Sequence, residues 1–335
     1  SNLRAFAFDT PSTSLGVLTS RDSMVVLFVL VLILRQIKSL ALPIFSSIGT
    51  SLATSSHGPE WVRNNPEKIY KFGEYVFRLL YHTAISVYGL WYFLDKPWWD
   101  SAKGGTQNIF LNYPNQPIEV GMIWYYLIQS AYNIDALTHL LELSFEVKMR
   151  SPISKTNRLQ SPITIGWSPD CRGDFQEMMI HHVVTNLLVI GSSYIRMTSM
   201  GSMVFMVHDV SDIPVDLSKL ANFMKWKIST IICFATMVIV WAMTRLGILP
   251  FVIFKGIIDH SELAYTTGSC TKQFHDMYVL IFYGLLSAII ALHLVWFTMF
   301  IKMGYLLINK GEAHDLSEHK KGEEQSSVPV GKKRQ

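Results

Sequence analysis

Charge is scarce in this sequence: Asp, Glu, Lys and Arg together make up 16% of its 335 residues, against roughly a quarter in ordinary soluble proteins. With 50% hydrophobic residues, the composition excludes a disordered chain and points to lipid as the solvent. The net charge of +4 is too small for the broad positive footprint of a nucleic-acid binder, so no nucleic-acid partner is expected. Cysteine is nearly absent. Cys171, Cys233 and Cys270 stand far apart with no CxxC spacing, which indicates neither a disulfide framework nor a cysteine zinc site. No two histidines are spaced as HxxxH, which excludes the clusters a membrane di-iron oxygenase would need. No internal repeat is present.

What the chain does have is long apolar runs. A hydrocarbon core of ~30 Å takes about 20 such residues as a helix, and runs of this kind lie at 75–94, 120–143, 178–195, 200–220, 228–254 and 277–308. A seventh, 24–45, contains MVVLFVLVLIL but is interrupted by Arg35 and Lys38. It does not read as a cleaved signal peptide, because Arg4 and Arg21 ahead of it are balanced by Asp9 and Asp22 and no small-residue cleavage pattern follows. The expected fold is all-α, a polytopic integral membrane bundle of seven helices. Alternating the connecting segments puts 20 Lys and Arg on one side and seven on the other, so the positive-inside rule places the N-terminus in the lumen and the C-terminus in the cytosol.

The chain then divides into a lumenal tail (1–23), a first helix with a cytosolic linker (24–74), a main membrane domain (75–308) and a charged cytosolic tail (309–335) that reads as disordered. Residues 146–173, with Pro152, Pro162 and Pro169, read as an extended, mobile cytosolic loop. The closing Lys332-Lys333-Arg334-Gln335 resembles a dilysine endoplasmic-reticulum retrieval signal.

Ionisable residues inside a membrane are costly, and they usually face a cavity or mark function. The densest set lies in the fourth and fifth runs: His181 and His182, then His208, Asp209 and Asp212. A turn near Met197 makes the two runs a hairpin, which puts His182 level with Asp212 and Thr185 level with Asp209. Asp209 and Asp212, spaced i,i+3, share one helix face. A histidine oriented by a carboxylate is a general base or an acyl-transfer nucleophile near neutral pH. Zinc is the competing use of His181, His182 and His208, but adjacent histidines on a helix point about 100° apart, and no metal is expected. His82, His139 and His293 read as hydrogen-bonding helix contacts. Asp135, His139 and Glu142 form a polar stripe that lines the cavity or pairs with Arg78.

The stretch HHVVTNLLVIGSSYIRMTSMGSMVFMVHDVSDIPVDLSKL, His181 to Leu220, resembles the Lag1 motif of ceramide synthases within the TLC domain. The matching positions are His181, His182, Thr185, Ser193, Tyr194, Gly201, His208, Asp209, Ser211, Asp212 and Lys219, with Asp216 where a glutamate is usual. The lead-in RGDFQEMMIHH matches through Asp174, Phe175, Glu177 and Met178. The resemblance extends weakly from about Tyr75 to Ile308, making 75–308 the TLC domain, with six helices surrounding a central cavity. It implies transfer of a fatty acyl group from acyl-CoA to the amine of a sphingoid base at the endoplasmic reticulum, giving ceramide or dihydroceramide, with no cofactor.

On that reading His181, His182, Asp209 and Asp212 are catalytic. Thr185, Tyr194, His208, Ser211, Arg172 and Lys219 line the substrate cavity or the mouth that receives CoA. The partners implied are fatty acyl-CoA, a sphingoid base and membrane lipid; a homo- or heterodimer, or a small membrane subunit, is left open. The chain departs from the family pattern at Ser199, where a basic residue is usual, and in the long 146–173 loop. The competing reading is a non-catalytic TLC-domain protein in lipid sensing, trafficking or translocation.

Overall fold

The computed structural model describes residues 17–18, 20–149, 163–167 and 174–310. Helix α1 spans Arg21–His57. Ser20 sets its start: its hydroxyl accepts from the Ser23 amide at 3.1 Å, satisfying a donor that the first turn leaves open. The two charges that interrupt the apolar run dock the helix. Arg35 donates to Asp135 at 2.9 Å, Thr138 at 2.6 Å and Glu142 at 2.8 Å, and Lys38 lies 3.9 Å from Glu74.

Short α2 (Pro59–Asn64) and long α3 (Pro66–Phe93) both open on proline, where its missing N–H costs nothing. Helices α1 and α3 cross closely at Gly73. A methyl group there would sit 3.0 Å from Ser46 Oγ and 3.3 Å from the Leu42 carbonyl, the small-residue approach that lets membrane helices pack.

Two 3-10 turns, Ser101–Lys103 and Gly105–Ile109, lead to α4 (Val120–Ser144). The helical fold class holds, with one small addition in the loop after α4. Phe145–Met149 (β1) and Ile163–Trp167 (β2) pair antiparallel, Phe145 opposite Trp167 and Met149 opposite Ile163. Both ends of the expected loop thus satisfy their main-chain groups against each other, outside any helix. The rest of that loop, the dilysine-like ending and the other residues of both tails lie outside the described residues.

Helices α5 (Phe175–Tyr194) and α6 (Thr198–Phe223) form the expected hairpin. Its turn closes through Met197 N–H to Ser192 O at 2.7 Å, with Arg196 in the left-handed region at φ 62°. Next come α7 (Lys227–Trp241), a π-helical segment (Ala242–Phe254) that contains Pro250, then α8 (Lys255–His260) and α9 (Leu263–Thr266). The last described helix is α10 (Lys272–Lys310).

Each apolar run of the sequence falls on a helix. Among the described residues, three helical stretches are long and apolar enough to cross a membrane: Arg21–His57, Lys227–Thr266 and Lys272–Leu307. Polarity is distributed inside out. Large apolar side chains such as Phe28, Leu40, Trp91, Ile228, Phe251 and Leu280 face outward, while His82, Gln129, Asp209, Asp216, Arg245 and His293 are buried. In water such a surface would be unstable, whereas in lipid it is the ordinary arrangement. The protein is a helical membrane protein.

Candidate functional site

The bundle encloses a cavity of about 420 Å³, lined by one full face of α5, one full face of α6 and parts of α3, α4, α7 and α10. Along α10 the lining runs from Tyr278 to Leu307, a depth of about 43 Å at ~1.5 Å per residue. One end is apolar, with Phe110, Ile195, Met197, Ile257 and Tyr278; the other carries Lys38, Glu74, His139, Lys219 and Asn222. The apolar end is tied shut from outside α5 and α6. Tyr113 donates to the Ile195 carbonyl, and Arg196 donates to the Gln116 carbonyl at 2.9 Å.

A group of histidines lies between the two ends. His181 of α5 has its ring 6.2 Å from that of His208 and 6.1 Å from that of His293, with Trp296 at 5.3 Å. His182 follows at 5.4 Å. His208 Nδ1 donates to the Val204 carbonyl at 2.7 Å, so the neutral ring turns the lone pair of Nε2 outward, and His293 Nε2 meets it at 2.8 Å as donor. The opposite nitrogen of His293 and Nδ1 of His181 are buried with no hydrogen-bond partner. His181 lines the cavity, where its imidazole can meet a substrate, whereas His293 is fully buried outside the lining.

The carboxylates of α6 find partners beyond the hairpin. Asp209 meets His82 Nδ1 of α3 at 3.0 Å and accepts from Gln129 of α4; His82 Nε2 faces the Tyr132 hydroxyl at 3.2 Å. Asp212 accepts from Arg245 of the π segment. Arg245 also donates to Ser211 Oγ at 2.6 Å and the His208 carbonyl at 3.2 Å, and its guanidinium carbon lies 4.0 Å from the Trp241 ring. Asp216, fully buried, pairs with Arg78 at 2.5 Å.

His182, Thr185, Asp209 and Asp212 all line the cavity, while the hydrogen-bond partners of the two acids lie on α3, α4 and the π segment. Helix α6 packs far more extensively against α3 and α7 than against α5, so its acids turn to those neighbours while the hairpin histidines face one another and α10. On the α4 stripe Asp135 and His139 line the cavity, one of its two expected uses; the other, pairing with Arg78, is not what the structure has: Asp135 and Glu142 bind Arg35, His139 binds Glu74 at 3.1 Å, and Arg78 pairs with Asp216.

Of the other residues singled out by the sequence, Thr185 and Lys219 line the cavity, whereas Ser211 is buried behind it against Arg245. Tyr194 is exposed and outside the cavity lining. Arg172 lies outside the described residues. His82, Gln129, Arg245 and His293 join the site through contacts that span from 33 to 127 residues. Their one signal in the sequence is polarity within an apolar run. Among the described residues no group of three or more His, Cys, Asp and Glu side chains has a metal-holding arrangement.

A helical membrane bundle with a long cavity, closed at its apolar end, and a buried histidine group at its middle defines the class to which the comparisons point. The chain belongs to the TLC domain family, which it matches over residues 71–302. Within that family it is similar to ceramide synthases. It is 26% identical over 261 residues to ceramide synthase hyl-2 of Caenorhabditis elegans, covering 75% of this chain and 68% of that one. It is 26% identical over 251 residues to human ceramide synthase 5, covering 75% of this chain and 54% of that one. With ceramide synthase LOH2 of Arabidopsis thaliana it shares 24% identity over 250 residues, 73% of this chain and 72% of that one. The chain thus spans only about half the length of the human relative.

Proposed function

We propose that the protein is a ceramide synthase, transferring a fatty acyl group from acyl-CoA to the amine of a sphingoid base. One observation carries this reading: the cavity joins an apolar blind end to a polar end that carries charges of both signs, through a histidine group at its middle. The ligand that suits it has a long apolar tail, a reactive centre and a polar head, in that order. The similarity to ceramide synthases supports the same choice.

A thioester is already activated, with a thiol leaving group of pKa about 8.5, whereas the amine arrives protonated. The protein's tasks are deprotonation and positioning. The imidazole of His181 takes the amine proton as nitrogen attacks the thioester carbon; the C–N bond forms, the C–S bond breaks, and the thiolate leaves to take up a proton. In the covalent variant the same imidazole first displaces the thiol, and the amine then attacks the acyl-imidazole. Either route creates positive charge on an imidazole, which Asp209 and Asp212 offset through the buried potential they set up with His82 and Arg245.

The chain crosses the membrane of the endoplasmic reticulum seven times, with the polar cavity end cytosolic. The asymmetry of 20 basic residues against seven supports this orientation, and four less apolar helices owe their lower hydropathy to the polar groups they bury.

Purified protein incubated in detergent with long-chain acyl-CoA and sphinganine should form N-acylated product. His181→Ala, His182→Ala, Asp209→Asn and Asp212→Asn should lower the rate. No product across a range of acyl lengths, or full activity in His181→Ala, would refute the reading.

A further inference from the structure

Beside the polar mouth of the main cavity lies a second pocket, of about 260 Å³, at the junction of α1, α2, α3 and the end of α6. Four lysines line it, Lys68, Lys71, Lys219 and Lys225, and no acidic side chain does. Among the described residues neither Lys68 nor Lys225 makes an ion pair. Lys68 and Lys225 bring positive charge to the pocket without an ion-pair partner among the described residues, and an anion bound between them would supply one.

The pocket is also aromatic. His57 stacks on Trp61 with ring centroids 4.1 Å apart and planes 28° apart, and Phe223 meets both rings at about 6 Å. Lys68 Nζ sits 5.9 Å from the Trp61 ring, and Lys219 Nζ 5.2 Å from the Tyr75 ring. Cations interleaved with a flat aromatic shelf suit a ligand that is at once polyanionic and planar. Lys225 adds a backbone observation. It holds φ 56° just past the end of α6, a left-handed position at which glycine is the usual residue. A lysine there accepts local strain in order to present its ammonium group at the pocket.

Lys219 and Asn222 line both this pocket and the main cavity, so a ligand can occupy the two at once. Eleven residues of α6 separate Lys219 from His208, about 16 Å along the helix, a gap for an extended, flexible linker. We propose that the pocket binds the phosphorylated adenosine end of acyl-CoA, with the phosphates on the lysines and the purine against the Trp61 and His57 shelf, while the pantetheine arm reaches down α6 to the histidines. The assignment rests on the acyl-CoA reading above and adds the place where the donor is recognised.

The test uses the full chain in nanodiscs of neutral phosphatidylcholine, with two donors: palmitoyl-CoA, and the palmitoyl thioester of N-acetylcysteamine, which lacks phosphate and purine. Lys68→Gln combined with Lys225→Gly should raise KM for palmitoyl-CoA about tenfold, the loss of one or two charge-assisted contacts, while KM for the simple thioester stays put. Because glycine suits the backbone at position 225, the fold should not suffer. Trp61→Ala should act in the same direction and Trp61→Phe should restore part of the loss. Adenosine 3′,5′-bisphosphate should compete with palmitoyl-CoA in the parent protein and compete less in the variants.

An unchanged ratio of the two KM values would overturn the proposal and leave the acyltransferase reading standing. If the bisphosphate fails to compete while phosphoinositide in the nanodisc does, the pocket holds a lipid headgroup and the proposal also falls. If the parent transfers acyl groups from neither donor, the acyltransferase reading fails. Direct binding of adenosine 3′,5′-bisphosphate then decides the pocket: binding lost in the double variant supports it, and no binding to the parent overturns it.

Discussion

Removing the positive charge of Arg245 gives the sharpest test of how the buried charges are organised. Arg245 is only 3% exposed, and its guanidinium holds Asp212, Ser211 and the His208 carbonyl while lying against Trp241. Arg245→Met keeps much of the volume but leaves Asp212 with no cation in direct contact. Breaking a buried pair from one side costs about 3–5 kcal/mol. The Asp212 side chain keeps 29% exposure onto the cavity, which favours the lower end, near 3 kcal/mol; the lost contact with Trp241 adds ~1 kcal/mol. Asp212→Asn alone leaves the arginine buried without its counter-charge and should cost a similar amount.

The double variant strands neither charge, so it should recover at least ~2 kcal/mol relative to the sum of the single changes. Unfolding in mixed detergent and sodium dodecyl sulfate micelles, followed by tryptophan fluorescence, measures all four proteins. Additive losses would refute the reasoning. Activity read on the same samples separates two roles of Asp212: if the double variant regains transfer together with stability, the acid is a counter-ion and takes no part in the chemistry.

Gly201 tests the packing of the hairpin. A methyl group there would collide with Tyr126 Oη, itself bonded to Ser192, so Gly201→Ala should cost about 1–3 kcal/mol, and adding Tyr126→Phe should recover part of it in the same unfolding assay. His82→Ala should lower kcat ~10–100-fold through the lost contact to Asp209, with His82→Asn, which can still donate, losing less; equal losses would show that His82 acts only by filling space. Arg35→Met removes three hydrogen bonds from α1 to α4 and should raise amide hydrogen exchange along α1 while that of α6 stays unchanged.

The helices were legible in the sequence because each apolar run exceeds what any other element would need, and even the doubtful first run proved continuous. Arg35 and Lys38 look like interruptions only when α1 is read alone; across the bundle they meet Asp135, Glu142 and Glu74. The hairpin and its left-handed turn at Arg196 were also within reach, since α5 and α6 are neighbours in the chain. The partners of Asp209 and Asp212 were not. Depth counting inside a hairpin says nothing about rotation, and α6 turns its acids toward α3 and the π segment. The histidine group was visible only in part: His181 and His208 belong to one motif, but His293 stands 85 residues beyond His208 and resembles any other polar residue in a long apolar helix.

The strand pair at the end of α4 has a consequence for how the protein can change. By joining Phe145–Met149 to Ile163–Trp167, it holds the chain that leaves α4 beside the chain that approaches α5, one strand spacing of ~4.8 Å apart, whatever the number of residues that connects them. Doubling a closed loop costs only about 0.6 kcal/mol. The ladder thus sets how far the end of α4 lies from the approach to α5 independently of the chain length between the strands, and an insertion between them should leave the histidines in place.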